Sequence, residues 1–165
     1  MKDADAVKNV ADILKRYPND ELIVVISAMG KTTNALEGIL KAYWHKSETL
    51  PTLLKQLRAF HRDIVQDLFG SGSEYISAEL EIIFQELEKK CATEHSDNFH
   101  FEYDQIVSLG EVISTKIVHA YLESIDLSSS WLDARKIIAT NNRWREAKIN
   151  WEATAEKVVP AVENE

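Results

Sequence analysis

Apolar positions recur at helical spacing along most of the chain, and the rhythm breaks in only a few places. Val7, Val10 and Leu14 line one side of a helix predicted over residues 3–16, with Asp3 and Asp5 at the front, where acids suit the helix dipole. Tyr17-Pro18-Asn19-Asp20 breaks that helix with a proline and two turn formers. Leu22-Ile23-Val24-Val25-Ile26 is then unbroken and rich in β-branched residues. It predicts a strand buried on both faces, as in a parallel sheet. The strand runs into Ser27-Ala28-Met29-Gly30, small residues ahead of a helix from about Thr33 to Trp44. A strand, a tight turn and a helix form the usual entrance to an α/β ligand site.

The middle of the chain is helical. Leu50-Pro51 opens a helix with Leu54, Leu57, Phe60 (or His61) and Ile64 on one side, and Pro51 suits its first turn. Phe69-Gly70-Ser71-Gly72-Ser73 ends it. A second helix carries Ile76, Leu80, Ile83 and Leu87, and its Glu79, Glu81, Glu86 and Glu88 read as a solvated acidic face. After the polar connection 93–98, a third carries Ile106, Leu109, Ile113 and Ile117. The texture then changes. Ser128–Asp133 predicts a second strand and Lys136–Thr140 a short third one. Asn150 is placed to cap a last helix with Ala153, Ala155, Val158 and Val159, which Pro160 should end or kink. Two or three strands among so many helices is a low count for an α/β domain.

Length and composition narrow the classes. At 165 residues, 45% hydrophobic and 28% charged, the chain can bury a real core. A formal net charge of −8 repels phosphate backbones, so no nucleic-acid partner is expected. No run of apolar residues is long enough to span a membrane, and none is expected to bind one. Cys91 is the single cysteine, so no internal disulfide can form, and a cytoplasmic location is expected. His45, His61, His95, His100 and His119 do not fall at metal-ligand spacing, and no metal site is expected.

Three segments carry candidate chemistry. Ser27-Ala28-Met29-Gly30-Lys31-Thr32-Thr33-Asn34 has small residues, hydroxyls and the N–H groups of a helix start, which suit an anion. It lacks the Gly-x-x-x-x-Gly-Lys spacing of a phosphate loop. Taken alone, it reads as a plain strand-to-helix turn capped by Thr33. Ser108-Leu109-Gly110-Glu111-Val112-Ile113-Ser114-Thr115 places a glycine and an acid inside a helix. Glycine costs about 1 kcal/mol there, so it invites a reason, with tight packing the plainer one. Glu111 could receive an ammonium group. Trp131-Leu132-Asp133-Ala134-Arg135 sets an arginine past a strand, able to fork a carboxylate, although a pair with Asp133 is the plainer reading.

Together and in this order, Ser-Ala-Met-Gly…Thr-Asn, Ser-Leu-Gly-Glu-x-x-Ser and Asp-Ala-Arg…Thr-Asn resemble the aspartate kinases, over nearly the whole chain. The resemblance implies the α/β amino acid kinase fold, helix-rich and with a mostly parallel sheet. Residues 1–165 would be the amino-terminal part of its catalytic domain, incomplete at both ends. It implies transfer of the γ-phosphoryl group of ATP, with Mg2+, to the β-carboxylate of L-aspartate, on the route to lysine, threonine and methionine. It implies that Thr33 holds substrate, that Ser27 and Gly30 floor the site, that Glu111 meets the substrate ammonium and that Arg135 grips a carboxylate.

Two departures shape the expectation. The family's Lys-Phe-Gly-Gly-Thr-Ser motif, which supplies the catalytic lysine, is absent, and neither Lys2 nor Lys31 replaces it. The family's glycine-rich nucleotide loop is also absent. The chain is thus expected to supply the aspartate side, to bind ATP and Mg2+ weakly if at all, and to be inactive alone. A homo-oligomer is a possible state, since the helices offer an assembly surface. The alternatives are another member of the superfamily, acting on a different acid or a nucleotide, and a non-catalytic helical interaction module.

Overall fold

The computed structural model describes residues 1–163. α1 spans Ala4–Leu14, α2 Thr32–Trp44, α3 Leu50–Phe69, α4 Glu74–Ala92, α5 Phe99–Val107, α6 Leu109–Ser124, α7 Ala134–Ile137 and α8 Trp151–Glu163. Local chemistry explains several of the starts. Asp3 caps α1 by accepting from Ala6 N at 3.0 Å. Asn98 caps α5, accepting from His100 N at 3.0 Å and Phe101 N at 3.2 Å. Asn150 accepts from Ala153 N at 3.1 Å at the start of α8. Each cap satisfies backbone donors that no helix can pair internally.

The core lies between α2, α3, α4, α5 and α6, with α1 laid against α3 and α6. Leu36, Ile39, Leu40 and Tyr43 of α2 face Leu57, Ile64 and Val65 of α3 and Ile106 and Val107 of α5 within one cluster. Ile76, Leu80, Ile83, Phe84 and Leu87 of α4 join Ile113, Ile117 and Val118 of α6 in the same cluster. These positions repeat every three or four residues, so each helix buries one stripe.

Thr32, His61 and Glu102 are polar groups fixed inside this bundle. His61, fully buried, donates Nδ1–H to Leu57 O at 2.9 Å, which leaves Nε2 to accept from Thr32 Oγ1 at 3.1 Å. Burial lowers its pKa, so the ring is held neutral. Glu102 of α5, also fully buried, meets Lys90 Nζ at 2.7 Å and accepts from Ser96 N at 2.8 Å. The acidic stripe of α4 is not merely solvated. Arg58 reaches Glu81 at 3.3 Å and Glu88 at 3.0 Å, and Lys116 reaches Glu79 at 3.3 Å.

The expected α/β fold is overturned. Among the described residues there is no strand or sheet, only an isolated antiparallel bridge between Thr140 and Ile149. Leu22–Ile26 is outside any helix, but its backbone has no ladder partner, and Ile23 and Val25 are 80% and 90% exposed. A strand exists only by pairing, and no other stretch of the described chain runs beside this one. Ser128–Asp133 is also unpaired as a strand. Its Ser129 N is taken by Glu123 at 2.7 Å and its Trp131 indole by Thr115 at 2.9 Å. Of the third expected strand, Lys136 and Ile137 belong instead to the short helix α7, started by Asp133, and Thr140 makes only the isolated bridge.

Two helix boundaries also differ. The third expected helix is broken at Ser108 into α5 and α6, so Gly110 and Glu111 lie in the first turn of α6 and not in a helix interior. α8 runs through Pro160 to Glu163 rather than ending there. No helix among the described residues is long and apolar enough to cross a membrane.

Cys91 lies half-buried near the end of α4. Burial pushes its thiol up to about 11. Alkylation by iodoacetamide near neutral pH should therefore run on the order of a hundredfold slower than for free cysteine, as mass spectrometry over time would show. Labelling at the free-thiol rate would mean that the end of α4 opens readily.

Candidate functional site

The first turn of α6 holds the segment that precedes α2. Gly110 is buried there, and a Cβ built on it would lie 3.0 Å from Ala28 Cβ, 3.2 Å from Leu36 Cδ1 and 3.3 Å from Thr32 Cγ2. The glycine is thus explained by close packing of α6 on the start of α2. Gly110→Val should cost about 2–3 kcal/mol by overpacking, read as a lower midpoint in urea unfolding. An unchanged midpoint would show that the two helix starts can separate without cost.

Two polar contacts strengthen the same junction. Ser114 Oγ, buried, donates to Ser27 O at 2.7 Å. Glu111 Oε1 accepts from Ala28 N at 3.4 Å, a long contact that leaves the carboxylate exposed at the mouth of the turn. Gly30 closes the turn at φ +52°, donating its N–H to Met1 O at 2.9 Å. A side chain there would be strained, and a Cβ would meet Phe60 Cζ at 3.0 Å and Lys2 O at 3.3 Å.

The hydroxyls are divided by this geometry. Thr32 is buried and spends its hydroxyl on His61. Thr33, half-buried in the first turn of α2, is left with an uncommitted hydroxyl among the described residues. Ser27, exposed, is tied through its carbonyl rather than its side chain. The turn and the start of α2 together present free N–H groups, a hydroxyl and an adjacent carboxylate, which suits a small zwitterion.

Arg135 comes from a different segment. Asp133 Oδ1 accepts from Arg135 N at 3.0 Å and from its Nε at 2.9 Å, while Asp133 Oδ2 accepts from Nη2 at 2.7 Å. The side-chain hydrogen bonds from Arg135 hold the Asp133 carboxyl below its usual range, and the same bonds raise the guanidinium. The fork therefore spends its Nε–Nη2 edge on Asp133 and keeps its other edge for an incoming group. The segment is anchored to α6 by Trp131 Nε1 donating to Thr115 Oγ1 at 2.9 Å, and Lys116 Nζ sits 4.1 Å from the Trp131 ring centre. Thr115 lies one turn beyond Glu111 on α6.

Ser27, Gly30, Thr33 and Glu111 are thus gathered where the turn and α2 meet the start of α6. Arg135 is attached to the same helix through Trp131. The sequence reading named neither Ser114, Thr115 nor Asp133 as part of the site. Ser114 and Thr115 close the Ser108–Thr115 segment, and their place beside apolar Ile113 and Ile117 hinted at buried polar work. Among the described residues no three histidine, cysteine or carboxylate groups converge to hold a metal.

A family-wide sequence model, that of the amino acid kinase family, matches residues 1–164. Aspartokinase 1, chloroplastic, of Arabidopsis thaliana is 30% identical over 139 residues, 81% of this chain and 24% of that protein. The bifunctional aspartokinase/homoserine dehydrogenase 2 of Escherichia coli (strain K12) is 28% identical over 138 residues, 84% of this chain and 17% of that protein. Among solved structures, E. coli aspartokinase III in complex with aspartate and ADP aligns with a TM-score of 0.84 at 26% identity, over 98% of this chain and 36% of that one. The chain therefore spans about a sixth to a quarter of the two curated relatives' length.

Proposed function

This chain belongs to the amino acid kinase family, and from that premise we propose that it carries the L-aspartate-binding part of an aspartate kinase. The parent enzyme would transfer the γ-phosphoryl group of ATP to the β-carboxylate of L-aspartate, the first step toward lysine, threonine and methionine. The observation that carries the reading is the exposed Glu111 carboxylate set against Ala28 N at the mouth of the Ser27–Gly30 turn. An ammonium group meeting Glu111 would place the rest of a small amino acid over the turn. Thr33 would donate its hydroxyl, Ser27 and Gly30 would form the floor, and the open edge of Arg135 would take a carboxylate. The likeness to an aspartokinase structure in complex with aspartate supports the same substrate.

ATP and magnesium do not fit these residues. Among the described residues no three histidine, cysteine or carboxylate groups converge on a cation, and Gly70 and Gly72, each with open space at Cβ, form no close cradle for phosphates. The proposal for this chain is therefore amino-acid binding without turnover, and no phosphoryl step is assigned to its residues.

Isothermal titration with L-aspartate, with D-aspartate and L-glutamate as controls, tests this. L-Aspartate should bind saturably and best, and ADP release from ATP, magnesium and aspartate should be absent. A chain that is folded by circular dichroism yet indifferent to L-aspartate overturns the binding reading. Turnover by this chain overturns the assignment of its essential groups.

A further inference from the structure

Thr32, the first residue of α2, is held from two sides. Its methyl group faces Gly110 of α6, where a Cβ on the glycine would lie 3.3 Å from Thr32 Cγ2. Its hydroxyl donates to Nε2 of His61, on α3, at 3.1 Å. Both side chains are buried, Thr32 at 2% exposure and His61 at 0%. The His61 ring is itself fixed. Nδ1–H donates to Leu57 O at 2.9 Å, and Phe60 stands edge-on to the ring with centres 5.0 Å apart. Phe60 also packs on Gly30, at the bend before α2. Two successive side chains of α3 thus grip both the bend and the helix start.

Stability does not explain such a pair. Replacing both partners of a buried hydrogen bond by apolar groups of the same shape is close to neutral. What the bond adds is direction. An apolar contact lets a helix turn or slide, whereas a hydrogen bond to a fixed ring nitrogen is directional. Thr32 is β-branched, so a methyl set toward α6 and a hydroxyl set toward α3 fix its χ1 and, with it, the rotation of the helix start. Thr33, with its uncommitted hydroxyl, is the next residue on that turn.

We infer that His61 is a positioning residue for the amino-acid site, orienting the first turn of α2 through Thr32 and so aiming the Thr33 hydroxyl and the free N–H groups beside it. For its ligand the inference rests on the aspartate reading; for the helix start it rests on the contacts alone.

Thr32→Val, His61→Leu and the two together test it, with Thr32→Ser as the variant that keeps the hydroxyl. The double variant replaces the pair by apolar side chains of similar size, so its urea midpoint should return close to the parent's. Its L-aspartate affinity by titration calorimetry should stay about fivefold weaker, as in either single variant. A role in filling the core alone would restore affinity along with stability. Hydrogen exchange reads the helix start without ligand. The Ala35 N–H closes the first turn on Lys31 O at 3.0 Å. Its exchange should quicken about fivefold in the double variant and stay unchanged in Thr32→Ser. A folded double variant with parental exchange at Ala35 overturns the inference, whatever the parent binds. So does parental affinity in the double variant where the parent binds. Faster exchange at Ala35 in a chain whose parent ignores L-aspartate leaves His61 as the guide of the helix start and overturns the aspartate reading alone.

Discussion

Glu102→Ala should destabilise the chain by about 3–5 kcal/mol, enough to unfold much of it at room temperature. The carboxylate is fully buried, bonded to Lys90 at 2.7 Å and to Ser96 N at 2.8 Å. Removing it leaves the half-buried Ser96 N–H unpaired, and it strips Lys90 of the charge that draws it against α5. Burial alone would push this carboxyl up, but the Lys90 and Ser96 bonds outweigh it and the net shift is downward. A depressed folded pKa gives stability that is complete above the ordinary carboxylate range. That stability is lost as pH falls through the folded value. Urea midpoints measured from neutral pH into acid should therefore fall less steeply in Glu102→Gln than in the parent. Equal slopes would show that Glu102 is not the acid-sensitive group. The contact has a visible consequence for architecture, since Glu102 ties the start of α5 to the end of α4 through Lys90 and to the connection between them through Ser96.

Arg135→Ala should weaken L-aspartate binding by about 2 kcal/mol, about thirtyfold in Kd. Arg135→Lys should recover only part of that loss, because an ammonium keeps the charge and loses the planar fork. Glu111→Gln should cost a similar amount by removing the charge that meets the ammonium. Arg135 is exposed and its segment is anchored through Trp131, so its removal should leave the unfolding midpoint nearly unchanged. Titration calorimetry and urea unfolding of the same variants separate the two effects. Weakened binding without lost stability is the expected pattern. Unchanged affinity in both Arg135→Ala and Glu111→Gln would place the aspartate site elsewhere.

The chain presents a tightly knit helical body and a more lightly attached periphery. The body is knit by buried pairs such as His61–Thr32 and Lys90–Glu102. The segment 139–150 is attached more lightly, by Arg145 N donating to Asp104 at 3.0 Å, by Phe101 against Trp144, and by the Arg145 guanidinium over Tyr103. Tyr103 is itself fixed by donating to Glu37 at 2.7 Å. α8 buries only Thr154 among its described residues, and that hydroxyl accepts from Ala139 N at 3.0 Å.

The sequence by itself determined the helices. The three-and-four spacing of Leu57, His61 and Ile64, or of Ile76, Leu80, Ile83 and Leu87, needs only a core on one side, and the structure supplies one. Caps at Asp3, Asn98 and Asn150 are local chemistry, and Asn150 was legible before any fold was known. The order of the motifs around Ser27, Gly110–Glu111 and Arg135 pointed to the family. Tertiary structure decided everything that depends on partners distant in sequence. The run Leu22–Ile26 has the composition of a strand, but composition cannot provide the second strand that would complete it. Ser128–Asp133 was turned from a strand by Glu123 and Thr115, side chains on the preceding helix that no window of its own residues contains. Gly110 read most plainly as a point of tight packing, but only the approach of Ala28 from 82 positions earlier showed what packs there. Periodicity records which way a residue faces; it does not record what arrives there.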